Sequence, residues 1–379
     1  MAMTVTRRNL IKGAGILSIA GLFGLSGLAF ADASAEQPAE AAASGDVEMI
    51  TVTDMAGREV TFPKNPEKVF SSSPAAEAWL TALVPERIIG WANTMTEQQL
   101  SYYPEECRDK PLVGGWYGYN EGNAEGIITM APDVVVSSAR LIDDAAVQSA
   151  VTSAEELSTK LGTPVVVVDM RLEVVGEVYR KLGEWFGVPE RGEELGTYVE
   201  GELAKVKETV DKVPEDEVAS YYYAEDTSGL MTEGNGSQHI AVWDYCEMTN
   251  TADVAVSSFF GREEVSMEQV ISWDPEYIFV FNKGAYATIT TDAAWADLRA
   301  VKEGKVYICP SLPQNWFDRS PNPLRVLGCL YTASVVYPEY ATYDLETEVR
   351  EYFKTVYGVE ITDEQYDALF STEQEEKAE

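Results

Sequence analysis

The chain of 379 residues holds one histidine, His239, and four cysteines, Cys107, Cys246, Cys309 and Cys329. Ser-His-Asp, Cys-His and zinc-hydrolase chemistries all draw on imidazole, and exported zinc or manganese receptors need several such rings. A single histidine therefore sets most hydrolases and a bare-zinc receptor aside. No G-x-S-x-G, H-E-x-x-H, Walker A or Rossmann glycine pattern occurs, and Lys- or carboxylate-based catalysis is left without a pointer. The cysteines are far apart, show no metal-like spacing and allow three pairings. Cys246, in the helical stretch Trp243-Asp244-Tyr245-Cys246, is expected as a buried free thiol; a Cys309–Cys329 bridge is allowed but unsupported.

The remaining residues suit gripping rather than bond-making. Trp116 and Tyr117 stand in a glycine-flanked loop, Gly114-Gly115-Trp116-Tyr117-Gly118, with little strand or helix character. Trp316 and Arg319 stand in 310–321, too rich in proline for a regular element. Indole and phenol rings offer broad apolar faces with a polar tip, suited to flat macrocycles or chelates. Arg140, Arg171, Lys283 and Arg319 are the cations best placed to pair with an anionic chelate or oxyanion. Gly234-Asn235-Gly236-Ser237 offers either free backbone N–H groups for an anion or a plain capped loop.

The elements that position these residues follow from the pattern. Thr6-Arg7-Arg8-Asn9-Leu10-Ile11-Lys12, an apolar run and Ala29-Phe30-Ala31 make residues 1–31 an export signal of the twin-arginine type, cleaved after Ala31 or kept as an anchor. Residues 32–49 read as a disordered linker poor in anything that could build a core. Lys and Arg number 28 against 63 Asp and Glu. So acidic a chain repels nucleic acid and anionic lipid, which argues against both as partners, and its plainer meaning is solubility.

Past the linker, short apolar runs alternate with amphipathic stretches. Strands are expected at 68–70, 87–91, 132–137 and 164–169, then again at 218–223, 278–281 and 306–309. Continuous β-branched runs suit strands buried on both faces of a parallel sheet. Between the two sets, Leu195, Val199, Leu203, Val206 and Val210 form one stripe of a long helix over 189–213, ended by Pro214. The expected fold is α/β: two Rossmann-like lobes with mainly parallel sheets, 50–188 and 214–370, joined by one long backbone helix and followed by an acidic tail, 371–379. A ligand would bind between the lobes, at the carboxyl ends of the strands. There is an internal echo as well. Residues 125–136 parallel 268–279, each a short helix with an acidic residue, then Pro132-Asp133 or Pro275-Glu276, then a strand.

The ordered set of segments resembles the helical-backbone class of periplasmic binding proteins, which serves ferric siderophores, haem and vitamin B12. Gly57-Arg58-Glu59-Val60 and Pro66-Glu67-Lys68-Val69 resemble its entry, Asn123-Ala124-Glu125-Gly126-Ile127-Ile128 its first-lobe helix, Val265-Ser266-Met267-Glu268-Gln269-Val270 its second-lobe helix, and 300–307 its Ala-Val-Lys strand entry. The resemblance implies an exported, monomeric, non-enzymatic capture protein. It needs no cofactor, takes up a metal-containing small molecule, and hands it to the permease dimer of an ABC importer. It implies ligand contacts at Ser73, Trp116, Tyr223 and Trp316, and docking of Glu125 and Glu268 onto permease arginines. In this setting His239 could ligate haem or cobalt, although a first-turn histidine is more often packed or solvated. A ferric siderophore is the first expectation. A molybdate-type oxyanion is second, because Leu312-Pro313, Trp316-Phe317, Arg319 and Tyr337-Pro338-Glu339 resemble oxyanion-carrying relatives; a corrinoid or haem is third.

Overall fold

The computed structural model describes residues 47–117, 120–257 and 261–372. The expected export signal, the linker up to residue 46 and the tail from residue 373 lie outside the described residues.

Two parallel sheets form the two lobes. In the first, Val69–Ser71, Val134–Ala139 and Val165–Asp169 lie side by side in that order. Phe70 pairs with Val135, and Val136 with Val166. In the second, the order is Val306–Ile308, Tyr277–Val280, Ser220–Ala224 and Thr249–Asn250, all parallel. The valines of both faces of 165–168 are buried, as the unbroken β-branched run requires. An antiparallel hairpin, Met49–Thr53 with Glu59–Pro63, opens the first lobe, its first strand starting one residue inside the boundary drawn for the linker.

The expected strand at 87–91 is not formed. A 3-10 turn over Pro85–Arg87 precedes it, and only single bridges survive, Val69 to Ile88 and Trp91 to Leu112. Ile88 and Trp91 are nevertheless buried, which is why the segment reads as a strand.

The connecting helix runs from Pro189 to Val210, with its whole apolar stripe buried. It ends three residues before the expected limit, in a turn that leads to Pro214. Its stripe joins one continuous core with first-lobe residues such as Trp79 and second-lobe residues such as Trp243, so the lobes share apolar packing through it. The C-terminal helix Asp363–Leu369 crosses back to the first lobe, where the Tyr102 hydroxyl donates to Gln365 O at 2.7 Å.

The echo is structural. Helices Ala124–Met130 and Met267–Trp273 are each seven residues long, capped by Asn123 and Ser266. Each ends in a left-handed residue, Ala131 at φ 49° and Asp274 at φ 39°. Proline then leads into a buried strand in both. Glu125 and Glu268 sit in the first turns, exposed. All four cysteines are buried free thiols, so the Cys309–Cys329 bridge is not formed. No helix among the described residues is long and apolar enough to cross a membrane.

Candidate ligand-binding cleft

The strand ends of both lobes open onto one cleft of about 1910 Å³. On the first-lobe side, the strand Val69–Ser71 runs into Ser73, which caps the helix Pro74–Leu83 and shares a hydrogen bond of 3.1 Å with the Ser138 hydroxyl. Trp116 is locked against this turn because its N–H donates to Ser72 O at 2.7 Å. The approach depends on Gly115, where a Cβ would lie 2.4 Å from that same carbonyl oxygen. One side of the Trp116 ring is covered by Lys160 Nζ, 5.3 Å from its centroid. Tyr117, Ser137 and Arg140 complete this wall.

The second-lobe wall carries His239, Phe281, Lys283, Asn315 and Arg319. Asn282 caps the helix Lys283–Thr291, accepting from Ala285 N–H at 2.9 Å. Arg319 faces the cleft with its edge, but its charge is taken up from below. Its Nε is 2.7 Å from Glu225, its Nη2 2.9 Å from Glu233, and Asp318 lies 3.2 Å away. His239 Nδ1 is paired with Asp318, and Ser237 donates to Glu233 at 2.6 Å. Burial pushes Glu233 up to about 7 and raises Glu225 too. Burial opposes a charged His239, but the hydrogen bond to Asp318 together with the charges of Asp318 and Glu233 leaves the ring more basic than usual. The loop at Gly234–Ser237 is accordingly a cap tied to a carboxylate, with Ser237 also accepting from His239 N–H at 3.2 Å. That is no environment for an anion.

Seven of the ten expected ligand residues line the cleft: Ser73, Trp116, Tyr117, Arg140, His239, Lys283 and Arg319. Three do not. Trp316 is fully buried, its indole N–H donating to Leu312 O at 2.8 Å. The helix Arg325–Val336 closes over its backbone, since Gly328 has no Cβ to strike Trp316 O. Tyr223 is also fully buried, its ring centroid 4.6 Å from that of Trp243. Arg171 is held by Asp169 at 2.6 Å and lines a smaller cavity instead.

Other lining residues escape a sequence reading. Asn93 follows a segment that looks like a plain strand. Asp367 and Phe370 reach the cleft from the C-terminal helix and the residue after it. Buried polar atoms on this lining without a partner among the described residues include Trp116 Nε1 and Asn315 Nδ2, both donors, and Asn93 Oδ1, an acceptor. Neither Arg140 nor Lys283 has an ion-pair partner within 4 Å among the described residues, whereas Arg319 is fully committed.

Two lobes on parallel sheets, one rigid helix between them and an open cleft at the strand ends make a clamp for a solute. The family of periplasmic binding proteins matches residues 71–313. The chain belongs to this family. The molybdate-binding protein MolA of Haemophilus influenzae is 23% identical over 338 residues, covering 81% of this chain and 90% of that protein. Its solved structure with molybdate bound superposes with a TM-score of 0.63 at 20% identity, covering 83% and 99%. An ABC transporter solute-binding protein from Sulfurospirillum deleyianum gives a TM-score of 0.76 at 28% identity, covering 84% of this chain and 98% of that one. A protein of an ABC-type Fe3+-hydroxamate transport system from Saccharomonospora viridis gives 0.54 at 22%, covering 76% and 98%. This periplasmic binding protein is the substrate-binding component of an ABC transporter, works outside the cytoplasm and is not an enzyme.

Proposed function

We propose that the cleft captures an anionic, oxygen-rich metal chelate, a ferric siderophore first, and that the loaded monomer docks on an importer through Glu125 and Glu268. The observation that carries the reading is the pairing of space with charge. The cleft, about 1910 Å³, exceeds the few hundred to roughly 1,000 Å³ usual for small-ligand pockets. Arg140 and Lys283, neither in an ion pair within 4 Å among the described residues, bring positive charge to it from opposite lobes. The orphaned donors Trp116 Nε1 and Asn315 Nδ2 would find acceptors on a hydroxamate or catecholate, since buried polar groups are rarely left unpaired. Trp116, Tyr117 and Phe281 supply faces for its organic skeleton. Capture is binding alone, with no bond made or broken, and no protein cofactor is required.

A molybdate-type oxyanion is the second reading. It is supported by the relative MolA and by the capped helices at Pro74 and Lys283, whose first turns present N–H groups towards negative charge. A corrinoid or haem, with His239 as an axial ligand, is the third reading, and the pairing of the ring's Nδ1 with Asp318 is of the kind that orients a ligating ring.

Isothermal titration of the purified protein with ferric hydroxamates, ferric catecholates, haem, cobalamin, molybdate and tungstate tests the choice. Saturable one-to-one binding of a ferric chelate supports the first reading. Binding of molybdate alone replaces it with the second.

A further inference from the structure

Adjoining the main cleft, residues 170–173 of the first lobe meet the helix starts at Ala241 and Arg325 of the second around a cavity of about 40 Å³ that shares Arg140, Met170, Gln238 and Pro321 with the cleft lining. Three of its lining side chains are arginines, Arg140, Arg171 and Arg325. Arg325 is only 3% exposed and has no carboxylate within 4 Å among the described residues. Its guanidinium donates to Met170 O and, at 3.3 Å, to Asn322 O. Carbonyls satisfy hydrogen bonds but leave the charge uncompensated, and a buried charge without a counter-charge is costly.

The neighbouring acids do not supply that counter-charge. Asp169 is spent on Arg171, and Asp318 on His239 and Arg319. Glu173 lines the seam but is exposed and makes no ion pair within 4 Å among the described residues. Arg140 makes no ion pair within 4 Å among the described residues, although Asp244 lies close enough to feel its charge. The cavity has room for roughly three waters, or one ion of comparable bulk.

We propose that this seam binds one small inorganic anion, up to the size of a tetrahedral oxyanion, held between Arg325 of the second lobe and Arg140 of the first. Guanidinium groups present their donors in a planar fork suited to such an ion, and an ion gripped from both sides ties the lobes together. Arg140, Met170, Gln238 and Pro321 also line the main cleft, whereas Arg325 lines the seam alone, so the Arg325→Met variant is the one that separates seam binding from cleft binding.

Thermal unfolding of the purified full chain in gluconate buffer, titrated with chloride, sulfate or molybdate, gives the first readout. A saturable rise in Tm with at least one of them is expected, weakened at least tenfold in apparent affinity by Arg140→Gln and abolished by Arg325→Met. Crystals grown with bromide or selenate give the second, which does not depend on the Arg325→Met variant folding. An anomalous peak between Arg140 and Arg325 is expected. A Tm indifferent to all three anions would overturn the proposal, as would a peak confined to the main cleft or a response unchanged in Arg140→Gln.

Discussion

The Nε atom of Arg319 lies 2.7 Å from Oε1 of Glu225, beneath the floor of the cleft. With Glu233 at 2.9 Å and Asp318 at 3.2 Å, it makes Arg319 a structural cation where the sequence suggests a ligand-facing one. Removing one member of a buried ion group leaves the others without compensation, at a cost of about 3–5 kcal/mol. Arg319→Met should therefore lower stability by that order in a urea melt. A variant that keeps its midpoint and loses only ligand affinity would contradict this assignment.

The two tryptophans should separate in the same way. Trp116 lines the cleft and Trp316 is core. Trp116→Ala should weaken ligand binding several-fold to about tenfold, because the organic skeleton of the chelate loses a stacking face of roughly 0.5–1.5 kcal/mol, with little change in Tm. Trp316→Ala should cost about 3–5 kcal/mol of stability. Paired titration and unfolding curves check both.

Glu77 is fully buried in the helix Pro74–Leu83, its Oε1 accepting from Ala92 N–H and its Oε2 without a partner among the described residues. Burial pushes it up to about 8, with the Ala92 bond opposing. Between the ordinary value near 4.5 and about 8, the folded state keeps a proton that the unfolded chain releases. Stability then falls as pH rises through that window. Glu77→Gln keeps the acceptor and removes the titration. It should flatten the dependence and gain on the order of 2–4 kcal/mol at pH 8. Unfolding midpoints at pH 5 and pH 8 measure it; an unchanged slope would count against the buried acid.

Glu125 and Glu268 are exposed first-turn residues of matching helices. Reversing both to lysine should leave ligand affinity within twofold while sharply reducing uptake in membrane vesicles carrying the importer, since rim charges act mainly on encounter and register. Loss of ligand affinity in the double variant would point to a role other than docking.

Much of this fold is legible in the chain because its signals are periodic and local. The valine run at 165–168 is consistent with a strand buried on both faces, and the stripe from Leu195 to Val210 with a helix buried on one. The 125–136 and 268–279 segments announce a repeated unit. What is not legible depends on packing between distant segments. Whether Trp316 faces ligand or core turns on Gly328 approaching its backbone. Whether Arg319 is free turns on Glu225 and Glu233, some ninety residues earlier in the chain. Arg325 gives no sign in sequence that it will be buried without a counter-charge. The strand misread at 87–91 shares the alternation and burial of a true strand and lacks only its partners.

The most direct test of the central claim is the affinity of the purified protein for ferric chelates, measured by titration in the wild type, Arg140→Gln and Lys283→Gln. Saturable one-to-one binding of one chelate, weakened at least tenfold by each substitution and further by added salt, is the predicted result. Binding indifferent to both substitutions, or none with any chelate, would contradict the assignment of this cleft to an anionic metal complex.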